Sequence, residues 1–314
     1  MAKRRRKIIE NTGFYHLMSR TVNGEALFSD VEREVFRKMM WQVADFSGVR
    51  VITYAVMKNH FHILAEVPEQ GTPISDEELV RRFRRLYPRP TPWQPMPAEV
   101  LEKHLKNNEL EGVLLRKQLI ARMHDVSQFM KTLKLRFTLW FNRSRGRFGT
   151  LWSERFKSVL VEGDSFALKT VAAYIDLNAV RAGIVDDPKD YRFCGYGEAV
   201  GAGGLARAGL RSIDRDLAGY RQTLYGKGAE SKEGKTYLSR EEALKVLGKR
   251  GKLPLSEILR CRVRYFSDGY AIGSEAFLRE QLKSSPPLSK VRPMDGADWG
   301  GLSVGNGLRQ NLFS

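Results

Sequence analysis

The sequence is poor in cysteine and in long apolar runs, and each shortage excludes a class of protein. Cys194 and Cys261 are the only cysteines among 314 residues, which argues against a disulfide scaffold, and they lack the spacing of a zinc site. The apolar runs fall well short of the roughly 20 residues of a transmembrane helix, and the basic opening leads into no signal-peptide core. We therefore predict a cytoplasmic protein without membrane association.

Acidic residues are also in the minority, with 36 against 53 lysines and arginines, for a formal net charge of +17. Such an excess attracts phosphate polyanions, which makes nucleic acid the expected partner and the nucleoid the expected location. Basic runs alternate with aromatic residues, and this pattern predicts a groove that follows a nucleic-acid backbone, although each run alone is more often a solvated face. The runs are 4–7, 81–85, 131–136, 143–147 and 249–252, and the aromatic residues are Phe83, Trp140, Phe148 and Trp152.

Histidine is scarce as well, yet two of the five histidines stand two residues apart, at His60 and His62. Because alternate side chains of a strand share a face, the two imidazoles would point the same way while Phe61 and Ile63 point into a core. This spacing predicts a site for one cation. On the local pattern alone, the alternative is a pair of polar residues on a solvated strand face.

The elements around the histidines are predicted in the order strand, helix, strand, strand. Residues 14–20 alternate as a strand, and a helix capped by Ser29 or Asp30 follows and ends at Gly48. Residues 49–57 are rich in β-branched side chains and turn directly into the histidine strand. Beyond it we predict an insertion at about 68–112, with seven of the twelve prolines, a short helix at 76–86 and an extended surface loop at 88–97, and then one long helix at 114–141.

A further helix, predicted over about 165–182, has an apolar stripe and a polar face. Tyr174, Asn178 and Arg181 share the polar face because they stand four and then three residues apart. If this helix crosses the histidine strand, Asn178 can offer a carbonyl oxygen to a metal and Tyr174 can project its phenol towards a phosphate. On the helix alone, a half-buried amphipathic tyrosine is the commoner explanation of Tyr174.

Four segments of the chain, spread over residues 8–196, carry a family resemblance. They are Tyr-His-Leu-Met-Ser-Arg at 15–20, Met-Lys-Asn-His-Phe-His-Ile-Leu at 57–64, Gly-Thr-Leu-Trp-Ser-Glu-Arg-Phe-Lys-Ser at 149–158, and Tyr-Ile-Asp-Leu-Asn-Ala-Val-Arg-Ala-Gly-Ile-Val at 174–185. Together they resemble the REP-associated tyrosine transposases, in the single-tyrosine IS200-like branch of the HUH endonucleases. Two positions depart from the pattern: Ala179 replaces the usual proline, which should make the helix more regular, and Lys58 stands where relatives often have proline.

The resemblance implies chemistry for particular residues. His60 and His62 match the pair that holds Mg²⁺ or Mn²⁺, and Asn178 matches the position that completes the metal site. Tyr174 matches the tyrosine that attacks a DNA phosphate to give a 5′-phosphotyrosine and a free 3′-OH. The implied substrate is single-stranded DNA with hairpins, the implied assembly is a homodimer, and no small-molecule cofactor is implied. Because imidazole is a softer donor than Mg²⁺ prefers, we expect Mn²⁺ to serve at least as well.

The implied architecture is α+β, with a ferredoxin-like antiparallel sheet, helices on one face and the histidine strand at the centre. The catalytic domain would cover residues 1–199, followed by a glycine-containing linker at 200–236. For residues 237–283 we predict a small unit of three short helices, at 239–247, 255–264 and 274–282. This unit is either helix-turn-helix-like or a bundle that packs on the catalytic domain or on another subunit. Residues 284–314 are rich in proline, glycine and serine and are expected to be poorly ordered.

The leading hypothesis from the sequence is therefore a metal-dependent enzyme that nicks and transfers single-stranded DNA near hairpins. The rival is a non-catalytic DNA- or RNA-hairpin-binding protein with a regulatory role. A binder would be free to lose the four residues of the implied active site, and all four are present. The basic residues expected to contact nucleic acid are Arg20, Lys58, Arg155, Lys157, Arg181, Arg260, Arg262 and Arg264.

Overall fold

Seven strands form one sheet in the part of the chain that the computed structural model describes, which is residues 11–92, 94–107, 110–225, 266, 269–283, 288–293 and 302–307. The strands are β1 (Gly13–Arg20), β2 (Arg50–Val56), β3 (His60–Val67), β4 (Lys157–Val161), β5 (Ala271–Gly273), β6 (Leu288–Pro293) and β7 (Ser303–Gly307). Their spatial order is β2-β3-β1-β4-β5-β7-β6.

Helices account for most of the remaining described residues. None of the described helices is long and apolar enough to cross a membrane. Strands and helices together confirm the predicted α+β class. The helices are α1 (Asp30–Ser47), α2 (Asp76–Leu86), α3 (Ala98–Lys106), α4 (Leu110–Ile120), α5 (Val126–Arg145), α6 (Ser165–Asp176), α7 (Asn178–Arg181), α8 (Gly195–Gly201), α9 (Gly204–Arg211), α10 (Leu217–Tyr225) and α11 (Glu275–Lys283).

The first four strands have the ferredoxin-like order and are antiparallel throughout. Strand β3 is paired on both sides, with β2 and β1, so the histidine strand lies inside this four-stranded unit. The register between β1 and β3 sets Arg20 opposite His60 and Met18 opposite His62. In the same way Lys157 of β4 stands opposite Met18. Because directly opposed residues share a face, Arg20, Met18 and Lys157 lie on the histidine face of the sheet.

Local signals explain why α1 begins and ends where it does. Ser29 and Glu32 form a capping box, in which the side chain of each residue accepts a hydrogen bond from the backbone of the first turn. Gly48 closes the helix in the left-handed conformation, at φ 67°, which glycine adopts without a Cβ penalty. The predicted bounds of this helix are confirmed.

The helices lie on both faces of the sheet, whereas one face was predicted. The ring of Phe61 contacts Phe36 of α1, with centroids 4.5 Å apart, and the neighbouring His62 contacts Tyr174 of α6, with centroids 5.9 Å apart. Successive side chains of a strand point to opposite faces, so α1 and α6 cover opposite sides of β3. The physical reason is that β3 is buried along nearly its whole length, so both of its faces are covered by other elements.

The insertion is more ordered than its prolines suggest. Helix α2 has its predicted bounds and buries an apolar stripe that includes Phe83, which is fully buried. Helix α3, which was not predicted, follows the proline-rich loop. The single helix predicted over 114–141 is instead α4 and α5. The chain breaks there because Asp125 caps α5 by accepting from two backbone N–H groups, and His124 before it is left-handed at φ 49°.

The C-terminal part differs from the expected linker and tail. Residues 200–225 contain α9, α10 and the end of α8, and these pack on β2 or on α6. A Cβ on Gly209 would lie 2.4 Å from the Val51 carbonyl oxygen and 2.6 Å from that of Ile52, so this glycine permits close packing and does not mark a flexible segment. Strands β6 and β7 occupy part of the expected tail, and β5 pairs with β4 in parallel, so the sheet is not wholly antiparallel.

The remaining predictions for the C-terminal unit fall partly outside the described residues. The helix expected near 274–282 is present as α11, with Ser274 as its cap. The two other helices predicted for this unit, at 239–247 and 255–264, lie outside the described residues. The three arginines at Arg260, Arg262 and Arg264 lie outside them too.

Candidate active site

The structure sets Tyr174 beside the histidine pair. The imidazole rings of His60 and His62 have centroids 5.2 Å apart and are nearly perpendicular. The Tyr174 ring lies 5.9 Å from that of His62. This arrangement follows from α6 crossing the histidine face of β2 and β3, with Asp164 as its N-cap accepting from the N–H groups of Phe166 and Ala167.

Asn178 reaches the same place through a break in the helix. Helix α6 ends at Asp176, Leu177 has ψ 1°, and α7 begins at Asn178. The side chain of Asn178 lies near enough to His60 to oppose the larger effect of burial on the pKa of that imidazole. The helix is interrupted two residues before Ala179, whereas Ala179 itself lies within α7, where alanine keeps the backbone N–H that proline lacks. The bonds on either side keep helical spacing, from the Leu177 N–H to Ala173 and from the Arg181 N–H to Leu177.

The anchor of this turn is Asp176, which is fully buried. Its carboxylate accepts from the hydroxyl of Thr53 at 2.9 Å, the hydroxyl of Tyr220 at 2.6 Å and the backbone N–H of Tyr196 at 3.0 Å. Burial raises the pKa of Asp176 to about 6, against the opposing effect of these hydrogen bonds. The three donors come from β2, α10 and α8, so one side chain ties the Tyr174 helix to three elements.

Each imidazole of the pair uses its Nδ1 within the protein. His60 Nδ1 lies 2.6 Å from Asn59 Oδ1, and the Asn59 amide nitrogen donates to the Gly24 carbonyl at 2.8 Å, which orients the amide. His62 Nδ1 lies 2.9 Å from Nε2 of His16. Histidines held in this way present the other nitrogen, Nε2, to a ligand.

Both histidines are held neutral. Burial is the main cause that lowers the pKa of His60 to about 4, and the nearby charges of Arg20 and Arg181 lower it further. Burial also holds the pKa of His62 well below its ordinary value, with His16, His60 and Arg181 acting in the same direction. A neutral imidazole is the form that binds a metal.

The donor set fits a weakly held divalent ion. It consists of the imidazoles of His60 and His62 and the amide oxygen of Asn178. Within the described ranges, no group of three or more His, Cys, Asp or Glu residues is arranged to hold a metal. His16 adds no ligand, because both of its nitrogens have partners inside the protein. Water and substrate oxygens would have to complete the coordination of Mg²⁺ or Mn²⁺.

The ring of Tyr174 is covered. The side chain of Phe266 stacks on it at 4.3 Å between centroids and 21° between planes, and the guanidinium of Arg181 lies 4.1 Å from the ring centroid. Two groups this close to one centroid occupy its two faces. Tyr174 is 5% exposed, so a substrate phosphate has little access to it in this conformation.

The predicted nucleic-acid contacts lie in different surroundings. Arg20, Lys58, Arg155 and Lys157 are exposed, and Arg181 is half-buried over Tyr174. Arg20 and Lys157 lie on the histidine face. The aromatic residues proposed for the groove mostly serve the core: Phe83 and Trp152 are buried and Trp140 packs against the core, whereas Phe148 is 94% exposed.

Two site residues escaped the sequence reasoning. His16 belongs to one of the four family segments, and its strand spacing from Arg20 placed both on one face, but nothing in the sequence set that face against His62. Phe266 lies 250 residues from His16, which its carbonyl contacts. No pattern in the sequence around residue 266 indicates this contact. Only the pairing of β5 with β4 brings Phe266 to the site.

Comparisons with known proteins bear on the first part of the chain. Residues 10–84 match the model of a family described as "Transposase IS200 like", a stretch that includes both histidines and ends before Tyr174. One solved structure, described as "Structure of the REP associates tyrosine transposase bound to a REP hairpin", is 15% identical, has a TM-score of 0.38, and is matched over 65% of this chain and 87% of that chain. Among curated proteins, none matches the chain significantly. Residues 10–84 are therefore similar to the IS200-like transposases, in agreement with the resemblance carried by the segments at 15–20 and 57–64.

Proposed function

We propose that this protein is a metal-dependent endonuclease and strand transferase that acts on single-stranded DNA near hairpins, in the cytoplasm at the nucleoid. The single observation that carries the proposal is the 5.9 Å separation between the rings of Tyr174 and His62. Tyr174, which can act as a nucleophile, thus lies beside His62, which can bind a metal, on the histidine face of the sheet. The match of residues 10–84 to IS200-like transposases supports the same class of activity.

The proposed step exchanges one phosphoester bond for another. The Tyr174 phenol oxygen attacks the DNA phosphorus, the bond from phosphorus to the 3′ oxygen breaks, and the phenol proton is balanced by the proton on the departing 3′-OH. The product is a 5′-phosphotyrosine. Because a phosphodiester is present before and after the step, the reverse reaction joins strands without ATP.

The residues around the tyrosine would share the electrostatic work. His60, His62 and Asn178 would hold Mg²⁺ or Mn²⁺, which when bound polarises a phosphate oxygen and offsets the charge that develops on it. Arg181, which lies over the tyrosine ring, would contact the same phosphate. The exposed Arg20 and Lys157 on the histidine face would bind the backbone of the strand.

Assembly is part of the proposal. A homodimer is the expectation from the resemblance. Tyr174 and His62 of one chain are already adjacent, so the proposal has the tyrosine act with the histidines of its own subunit.

The alternative is a hairpin-binding protein without cleavage activity. One observation favours it: Phe266 and Arg181 cover both faces of the Tyr174 ring, so the phenol must be uncovered before it can attack. The basic histidine face would bind DNA or RNA hairpins in either case.

A covalent-adduct assay tests the proposal. Purified protein, Tyr174→Phe and Tyr87→Phe are incubated with labelled single-stranded hairpins from the flanks of the gene, with Mn²⁺ or with EDTA, and run on a denaturing gel. Tyr87→Phe is the matched control, since it loses a phenol outside the site, where Tyr87 bonds Arg122. We expect an adduct that requires Mn²⁺ and Tyr174 but not Tyr87. Tight binding without an adduct under any metal supports the binder, and an RNA hairpin of the same sequence separates the two nucleic acids.

A further inference from the structure

A chain of hydrogen bonds runs from the C-terminal part of the molecule to His62. The main-chain carbonyl oxygen of Phe266 lies 2.9 Å from Nδ1 of His16. Nε2 of His16 lies 2.9 Å from Nδ1 of His62. Phe266 and His16 are both fully buried, and His62 is 6% exposed, so these contacts are shielded from competing water.

Only one placement of protons satisfies both contacts when the rings are neutral. A carbonyl oxygen can only accept, so Nδ1 of His16 carries a proton and donates it. Nε2 of His16 then has a lone pair and accepts from the Nδ1–H of His62. The lone pair of His62 is therefore on Nε2. Neutral rings follow from burial, because a charge on a fully buried imidazole is costly.

The same tautomer arises independently at His60. The oxygen of the Asn59 amide accepts from Nδ1 of His60, and the amide is oriented by its bond to the Gly24 carbonyl. Both histidines of the pair thus carry the proton on Nδ1, which is the less populated tautomer of free histidine. Two separate sets of hydrogen bonds thus impose the less common tautomer on His60 and on His62. This indicates that Nε2 is the functional nitrogen of both.

We propose that His16 is a positioning residue which, together with the main-chain carbonyl of Phe266, holds His62 in the tautomer whose Nε2 is free to bind a divalent cation. The proposal rests on the proposed function in one respect, since it takes His62 as a metal ligand. Metal-binding histidines commonly donate their other nitrogen to a carbonyl or a carboxylate. Here the imidazole of His16 lies between His62 and the carbonyl of Phe266. Because its Nδ1–H donates to the carbonyl, its Nε2 can only accept, and it accepts from His62.

The fold explains how a residue so distant in sequence takes this place. The N–H of Leu160 donates to the Tyr270 carbonyl, and the N–H of Tyr270 donates to Gly305 of β7. These bonds fix the chain just after Phe266 against β4. His16 stands opposite Val159 of the same β4. The pairing of the C-terminal strands with β4 therefore places Phe266 at the histidine site.

The experiment reads the tautomer directly, without DNA. Full-length protein with ring-¹⁵N histidine is freed of metal with EDTA, and its imidazole nitrogens are observed by NMR. With only five histidines, single substitutions assign every ring. In the wild type we expect His62 to be protonated on Nδ1 and unprotonated on Nε2. The variants His16→Leu, His16→Gln and Asn59→Ala are compared with it.

Each variant has a distinct expected result. His16→Leu removes the acceptor, so His62 shifts towards the Nε2–H form and Mn²⁺ affinity by calorimetry falls by about 10- to 100-fold. His16→Gln keeps an amide oxygen that can accept from His62 and restores most of the affinity. Asn59→Ala is the matched control, because it releases His60 and leaves the His62 tautomer as in the wild type.

The outcomes separate this inference from the proposed function. The proposed role of His16 is overturned if His62 of the wild type is protonated on Nε2, or if the His62 tautomer is unchanged in His16→Leu. Either result overturns it even if the protein binds Mn²⁺ and cleaves DNA. If the expected tautomers are found in a protein that binds no Mn²⁺, they support the proposed role of His16 and count against the metal site. If His16→Leu does not fold, the wild-type and His16→Gln spectra still decide, because both predict the same His62 tautomer.

Discussion

The most quantitative prediction concerns Asp176, whose replacement by asparagine should change how stability depends on pH. In the folded protein burial raises its pKa to about 6, against an ordinary value of 3.8. Between these two pH values the folded protein keeps a proton that the unfolded chain has lost, so the free energy of unfolding falls as pH rises. A rise of about two pH units corresponds to a loss of ~3 kcal/mol, complete above the folded pKa and absent below the unfolded one.

An asparagine side chain in place of the acid cannot titrate and keeps one oxygen acceptor for the Thr53 and Tyr220 hydroxyls. We expect Asp176→Asn to be near the wild type in stability at pH 4 and to gain about 3 kcal/mol relative to it by pH 7. Urea unfolding of both proteins at pH 4, 5, 6 and 7 measures the difference. Parallel curves would refute the reasoning, since they would mean that the carboxyl has the same pKa in both states. A difference of the opposite sign would mean that the three hydrogen bonds outweigh burial.

Three further predictions use other residues of the described structure. Phe266→Ala should leave the His62 tautomer unchanged, because the main-chain carbonyl remains, while loss of the ring destabilises the fold by about 3–5 kcal/mol. NMR measures the tautomer and urea unfolding the stability. A changed tautomer would count against the proposed role of His16. Phe148→Ala should change the free energy of unfolding by less than about 0.5 kcal/mol. If Phe148 stacks on a base, the same variant should weaken single-strand binding by about 1–3 kcal/mol. Phe83→Ala, in contrast, should unfold more readily without a specific effect on binding. Arg20→Gln should lower the slope of log affinity against log salt by about 0.7 for single-stranded DNA; an unchanged slope would show that Arg20 makes no phosphate contact.

Elements with local signals were predictable from the sequence. Ser29 and Gly48 mark the ends of α1 through capping chemistry that involves only neighbouring residues. Period-two alternation indicated the shared face of His60 and His62. By contrast, the break before Asp125 was invisible to an apolar-period argument, because buried residues continue at helical spacing on both sides of it.

What escaped prediction depends on contacts between distant parts of the chain. Glycine near 209 suggested a linker, but the structure uses its missing side chain for close approach to β2. The partnership of His16 with His62 depends on the register of β1 against β3, and that register is set by the whole sheet. Phe266 enters the site only because β5 adds to β4, and no pattern near residue 266 indicates this.

Phe266 has two contacts at the site, and they constrain how the tyrosine can become accessible. Its ring covers Tyr174, while its main-chain carbonyl holds His16. If the whole segment withdrew to admit DNA, the tyrosine would be uncovered, but His16 would lose its acceptor and His62 would be free to take the tautomer that cannot bind metal through Nε2. A rotation of the Phe266 side chain alone uncovers the same face of the ring and keeps the carbonyl in place. Under the proposed function, a side-chain movement is therefore the opening that preserves the metal site.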